Sequence, residues 1–132
     1  MFMTRKPFIV AALLIAFAAS APQGFAQQGD RFLIYFDEFS ANLTQKSRDV
    51  IADAAKQVRG SNARAVRIEA RASATGSATA NKYLAMTRSQ VVADELAKDG
   101  VNPDIVQQVP IGQTGSDDPS VAERRVDIVV ER

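Results

Sequence analysis

Residues 65–72 read AVRIEARA and alternate without a break: Val66, Ile68, Ala70 and Ala72 point one way, Arg67, Glu69 and Arg71 the other. A period of two marks a β-strand with one buried face, because successive side chains leave a pleated backbone on opposite sides. Working outward, RRVDIVVE at 124–131 alternates in the same manner, with Val126, Ile128 and Val130 on one face. RFLIYF at 31–36 is a short apolar run of aromatic and branched residues and predicts a buried strand. Ile105 to Ile111 predicts a weaker one.

Two helical patterns separate these runs. Thr44 is a suitable N-cap, Val50, Ile51, Ala54, Ala55 and Val58 recur at helical spacing, and Gly60 supplies the stop, which predicts a helix over 44–59. The second is NKYLAMTRSQVVADELAKDG at 81–100, ending at Gly100. Turns are expected at Phe39–Asn42 and Asn102–Pro103, and loops at 73–79 (SATGSAT) and 112–120 (GQTGSDDPS). The order β-α-β-α-β-β predicts an α+β two-layer sandwich: a mixed four-stranded sheet with two helices packed on one face. The other face, carrying Arg67, Glu69, Arg71, Arg125 and Asp127, is expected to be solvated.

The second helix carries a conflict. Ala80, Leu84, Val91, Val92 and Leu96 fall on one side, and Arg88 lies near the middle of that side, with Asn81 two turns before it. Desolvating a guanidinium is costly, so a partner is required. It is either a carboxylate of the fold, with Glu95 and Asp37 the candidates, or a ligand. Asn81 is read equally as a ligand contact or as a residue that caps the helix start.

The chain opens with Arg5 and Lys6, an apolar run from Phe8 to Ala19, and the small residues Gly24 and Ala26 around Phe25. This pattern predicts a secretory signal peptide over 1–26, cleaved after Ala26. Retention of the leader as an inner-membrane anchor is the alternative, and the apolar run is short for a span of about 20 residues. A short disordered tail at 27–30 and one domain at 31–132 follow. Two of the 16 basic residues and none of the 15 acidic ones lie in the leader, so the remainder carries a net charge of −1. That balance argues against nucleic acid or an anionic membrane surface as partner. The sequence has no histidine, which removes the commonest general base, and no cysteine, so no zinc site, disulfide or lipidated cysteine is expected. Asp117–Asp118 reads as a solvated turn. No catalytic residue, metal or cofactor is expected.

Taken together, IYFDEFSANLT (34–44), the strand with its TGS loop, NKYLAMTRSQVVADEL (81–96) and ERRVDIVV (123–130) resemble, in order and spacing, the OmpA-like C-terminal domain. The resemblance spans nearly all of 31–131. It implies a periplasmic, non-enzymatic module, associated with the outer membrane or cell wall, that binds peptidoglycan non-covalently. In that family a loop aspartate after the second strand receives the ammonium of the diaminopimelate stem residue, and a helix arginine takes its carboxylate. Arg88 falls on that arginine, Asn81 on a family asparagine, Asp37 on the aspartate after the first strand, and Arg125 on an arginine of the closing motif. The loop aspartate is replaced by Ser73, and the histidine before it by Arg71, whose charge would oppose an ammonium. Exchanging a charge-assisted bond for a neutral one forfeits about 1–2 kcal/mol. The alternative implied by Ser73 is a degenerate domain that has lost the wall ligand and serves as a protein-interaction or structural module. In either case an envelope protein is an expected second partner, and no direct membrane span is expected after signal cleavage.

Overall fold

The alternating runs form one sheet. The computed structural model describes residues 27–28, 30–72, 76–113 and 124–132; residues 1–26, expected to be a signal peptide, lie outside the described residues, as do 29, 73–75 and 114–123. In chain order the elements are β1 (Gln27–Gln28), β2 (Arg31–Tyr35), α1 (Gln45–Arg59), β3 (Ala65–Ala72), α2 (Ala78–Lys98), a 3-10 turn (Pro103–Ile105), β4 (Val106–Gln113) and β5 (Arg125–Glu131). The sheet order is β1-β2-β5-β3-β4, with β3 and β4 parallel and the other pairs antiparallel. The four long strands and two helices are those expected. Gln27–Gln28, expected within a disordered tail, instead pairs with the start of β2, where an edge strand offers otherwise unpaired backbone groups.

Both helices cover one face. Phe32 and Ile34 of β2, Val66 to Ala72 of β3 and Val126, Ile128 and Val130 of β5 form a single core with Ile51, Ala54, Ala55 and Val58 of α1 and Ala85, Val92 and Leu96 of α2. The register aligns the inward residues: Ile128 lies opposite both Phe32 and Ile68, and Val126 opposite both Ile34 and Ala70. Thr44 caps α1 by accepting from the Ser47 N–H at 3.1 Å. Ser77 caps α2. The far end of α2 closes on Gly100 at φ +94°, with the Gly100 N–H bonded to the Ala97 carbonyl and the Val101 N–H to that of Leu96.

The buried side of α2 is rotated from the expected stripe. It consists of Asn81, Ala85, Arg88, Ser89, Val92 and Leu96, while Ala80 is exposed and Leu84 and Val91 are half-buried. Small residues let α2 approach the sheet closely. Ser89 is buried and its hydroxyl donates to Gln108 of β4 at 3.2 Å.

The outer face of the sheet is not the solvated surface expected. Arg31, Arg71 and Arg125 all engage Asp127, whose side chain is 1% exposed. Arg67 reaches across to Glu69 and Glu131. The arginine stems cover neighbouring surface while their heads pair, so these side chains are only 20–34% exposed. Burial raises the Glu69 carboxyl, but the hydrogen bond from Arg67 and the charge of Arg31 outweigh it and hold it below the ordinary value of 4.5. A depressed folded-state value means that ionised Glu69 stabilises the fold above the unfolded value. That contribution is lost as pH falls from about 4.5 through the lower folded value. Glu69→Gln is therefore expected to unfold with a flatter pH dependence below about 4.5 than the wild type. Denaturation midpoints measured over that range test this, and parallel slopes in the two proteins would count against it.

Candidate functional site

β3 tapers along its inner face from Val66 and Ile68 to Ala70 and Ala72, all fully buried. The two alanines leave room at the C-terminal end of the strand, and the Arg88 guanidinium bonds to the backbone there. Only 1% of Arg88 is exposed. Its Nε donates to the Ser40 carbonyl at 2.8 Å, Nη1 to the Arg71 carbonyl at 3.0 Å and Nη2 to the Asp37 carbonyl at 2.9 Å. The guanidinium carbon lies 5.2 Å from the centroid of the Phe36 ring, a cation–π distance. All these acceptors are neutral. Among the described residues Arg88 makes no ion pair, so neither carboxylate candidate is its partner. Glu95 pairs with Arg48 and Lys98 at 3.8 Å each, and Asp37 contributes its backbone while its side chain is exposed.

A guanidinium has five N–H donors. Three are engaged by the carbonyls, leaving one on Nη1 and one on Nη2 with no acceptor among the described residues. Burial pushes Arg88 down to about 10, and the like charge of Arg124 adds to the shift. Arg88 therefore stays charged at neutral pH. Arg124 is the second cation here. Its carbonyl accepts from the Phe36 N–H at 3.0 Å, its Nη1 is 4.0 Å from Glu38, and its Nε is buried with no hydrogen-bond partner among the described residues.

The remaining sequence-predicted residues divide. Asn81 is buried on the same side of α2 as Arg88, one turn inside the helix; the cap is Ser77, so Asn81 does not cap the helix start. Asp37 adjoins Arg88 through its backbone. Arg125 is not brought to Arg88: it lies on the opposite face of the sheet, 2.6 Å from Asp127. Arg71 also turns to that face, toward Glu69 and Asp127, and presents only its carbonyl to Arg88. Ser73 lies outside the described residues. Sequence reasoning missed Arg124, although the parity that places Val126, Ile128 and Val130 inward gives Arg124 the inner side and Arg125 the outer.

A further feature is the turn that carries two of the carbonyls. The Ser40 N–H bonds to the Asp37 carbonyl at 3.1 Å, closing a four-residue turn. Its third residue, Phe39, has φ +55° and is the one non-glycine residue with positive φ among the described residues. Arg88 thus holds both ends of this turn.

The fold is thus a two-layer α+β domain with a buried arginine seated against the end of its central strands. The family model described as the OmpA family matches residues 35–126, and the chain belongs to that family. Among solved structures, the peptidoglycan-associated lipoprotein from Burkholderia pseudomallei is 24% identical, with a TM-score of 0.67 over 75% of this chain and 89% of that one. The OmpA-like domain of FopA1 from Francisella tularensis is 19% identical, with a TM-score of 0.65 over 80% and 79%. The C-terminal domain of Helicobacter pylori MotB is 23% identical, with a TM-score of 0.65 over 76% and 84%. These likenesses establish the fold. No curated protein matches the sequence. Among the described residues no helix is long and apolar enough to cross a membrane.

Proposed function

We propose that the chain is a non-enzymatic module of the periplasm that binds the peptidoglycan stem peptide, with Arg88 receiving a carboxylate of its diaminopimelate residue. The observation that carries this reading is a buried guanidinium that, among the described residues, bonds only to neutral carbonyls and has two N–H donors left over. A buried charge without a counter-charge is unfavourable, and a carboxylate would offset it while matching the guanidinium fork. Arg124 brings a second positive charge to the same region, and Asn81 and Asp37 border it. In this reading Ser73 accepts from the stem ammonium in place of the family aspartate. Arg125, with its side chain on the far face, contributes through β5 rather than by contact. The leader at 1–26 directs export and is removed.

Purified sacculi test this by co-sedimentation with the protein recovered from cells expressing the full chain. Wild type is expected to pellet. Arg88→Lys keeps the charge but loses the fork, and its binding should fall about tenfold or more. Ser73→Asp should bind about tenfold more tightly, through a restored charge-assisted bond. With no histidine in the chain and Arg88 charged, binding should be flat from about pH 6 to 8. The absence of the loop aspartate favours a second reading, a domain that keeps the fold and engages a protein instead. Pelleting by Ser73→Asp alone would select it.

A further inference from the structure

Phe39 combines two properties that a residue serving only the fold would not need. Its φ of +55° belongs to the left-handed region, which glycine and asparagine adopt readily and a bulky aromatic residue rarely does. Its side chain is 65% exposed, so the ring gains little from packing in return. Strained backbone persists where the surroundings impose it and is concentrated at binding sites. Here the imposing group is Arg88, whose Nη2 and Nε hold the carbonyls of Asp37 and Ser40 on either side of Phe39 at 2.9 and 2.8 Å. The result is an exposed aromatic ring on a turn whose backbone is hydrogen-bonded directly to the buried guanidinium.

We propose that Phe39 is a ligand-contacting residue of the same site, its ring packing against an apolar face of the wall fragment whose carboxylate Arg88 holds. The proposal rests on the wall-binding reading. A phenylalanine side chain has only two rotatable bonds and a large apolar surface, so it loses little conformational freedom for the area it buries on contact, and aromatic residues are enriched at binding surfaces. The matching chemistry is a face rich in C–H groups. Wall fragments offer it in two places, the sugar ring and the alanyl methyls of the stem. Asp37 and Glu38, both exposed, immediately precede the ring on the chain.

Three substitutions separate ring from backbone. Phe39→Asn removes the ring and suits the left-handed conformation, Phe39→Gly removes the ring and the strain together, and Phe39→Trp keeps an aromatic surface. Phe39→Asn and Phe39→Gly are expected to melt at a higher temperature than wild type and to bind sacculi about tenfold more weakly, the loss usual for an aromatic anchor. Phe39→Trp is expected to bind as wild type does. Competition with a soluble disaccharide-peptide and with the sugar-free stem peptide then locates the contact. If Phe39→Asn loses affinity only for the first, the ring meets the sugar; if it loses affinity for both, it meets the stem. Wild-type affinity in Phe39→Asn and Phe39→Gly, alongside loss in Arg88→Lys, would overturn the proposal and leave the wall-binding reading standing. Failure of wild type to pellet would overturn both.

Discussion

Arg88→Met is expected to lower the stability of the domain by about 2–4 kcal/mol, a large share of the roughly 5–15 kcal/mol that holds a domain of this size together. Methionine fills a similar volume and removes a buried charge, which by itself would help. Against that gain, the Ser40 and Arg71 carbonyls lose the guanidinium that bonds them, and the Asp37 carbonyl keeps only the Ser40 N–H. Each buried carbonyl left without a donor costs about 1–3 kcal/mol. The three acceptors also belong to two separate segments, so the turn at 37–40 and the end of β3 lose their common tie to α2. At about 4–8 °C per kcal/mol, the melting temperature should fall by roughly 8–32 °C. Denaturant unfolding of wild type and variant, with the slopes compared, provides the check. A variant as stable as wild type would mean that the guanidinium is kept for its ligand alone.

Asp127→Asn is expected to be at least as damaging, at about 3–5 kcal/mol, although the residue lies on the face that the sequence pattern assigns to solvent. One carboxylate, 1% exposed, serves Arg31, Arg71 and Arg125. Neutralising it leaves Arg31, Arg67, Arg71 and Arg125 facing only Glu69 and Glu131. Removing one member of a buried ionic cluster strands the others, which is more harmful than never having built the cluster. The amide keeps the shape, so a loss on this scale would be electrostatic. Thermal melts at low and moderate salt separate the effects. A loss below about 1 kcal/mol would place Asp127 among ordinary surface ion pairs.

These two residues also mark what was and was not legible in the sequence. The period of two in 65–72 and 124–131 identified the inward residues of β3 and β5 correctly, because a one-residue slip would invert the whole face. The same parity put Asp127 on the outer side, which is right. What alternation does not contain is the cross-strand neighbour: Asp127 lies opposite Leu33 on one side and Glu69 on the other, and the arginines that bury it come from β2, β3 and β5 itself. Arg88 was legible as a buried cation because it interrupts an apolar stripe. Its partners were not, since they are main-chain carbonyls and carry no residue signature. The phase of α2 was read about one residue out at its start, because alanines and serines weigh little in a hydrophobic pattern and yet decide how closely the helix packs. The positive φ of Phe39 had no sequence signal at all, as the residue type argues against it.

The order of the strands has a consequence for how the chain is made. β2 and β3, separated by α1, do not pair with each other; the strand between them is β5, the last in chain order among the described strands. Until residues 125–131 are in place, β2 and β3 have no shared neighbouring strand, and the core that Phe32, Ile34, Val66 and Ile68 form with the helices lacks Val126, Ile128 and Val130. Helices can form early from local contacts, but the core is assembled only by pairings that span most of the chain. Closure of the sheet must therefore wait for β5, and a domain lacking it would remain a substrate for chaperones and proteases instead of a weakened fold.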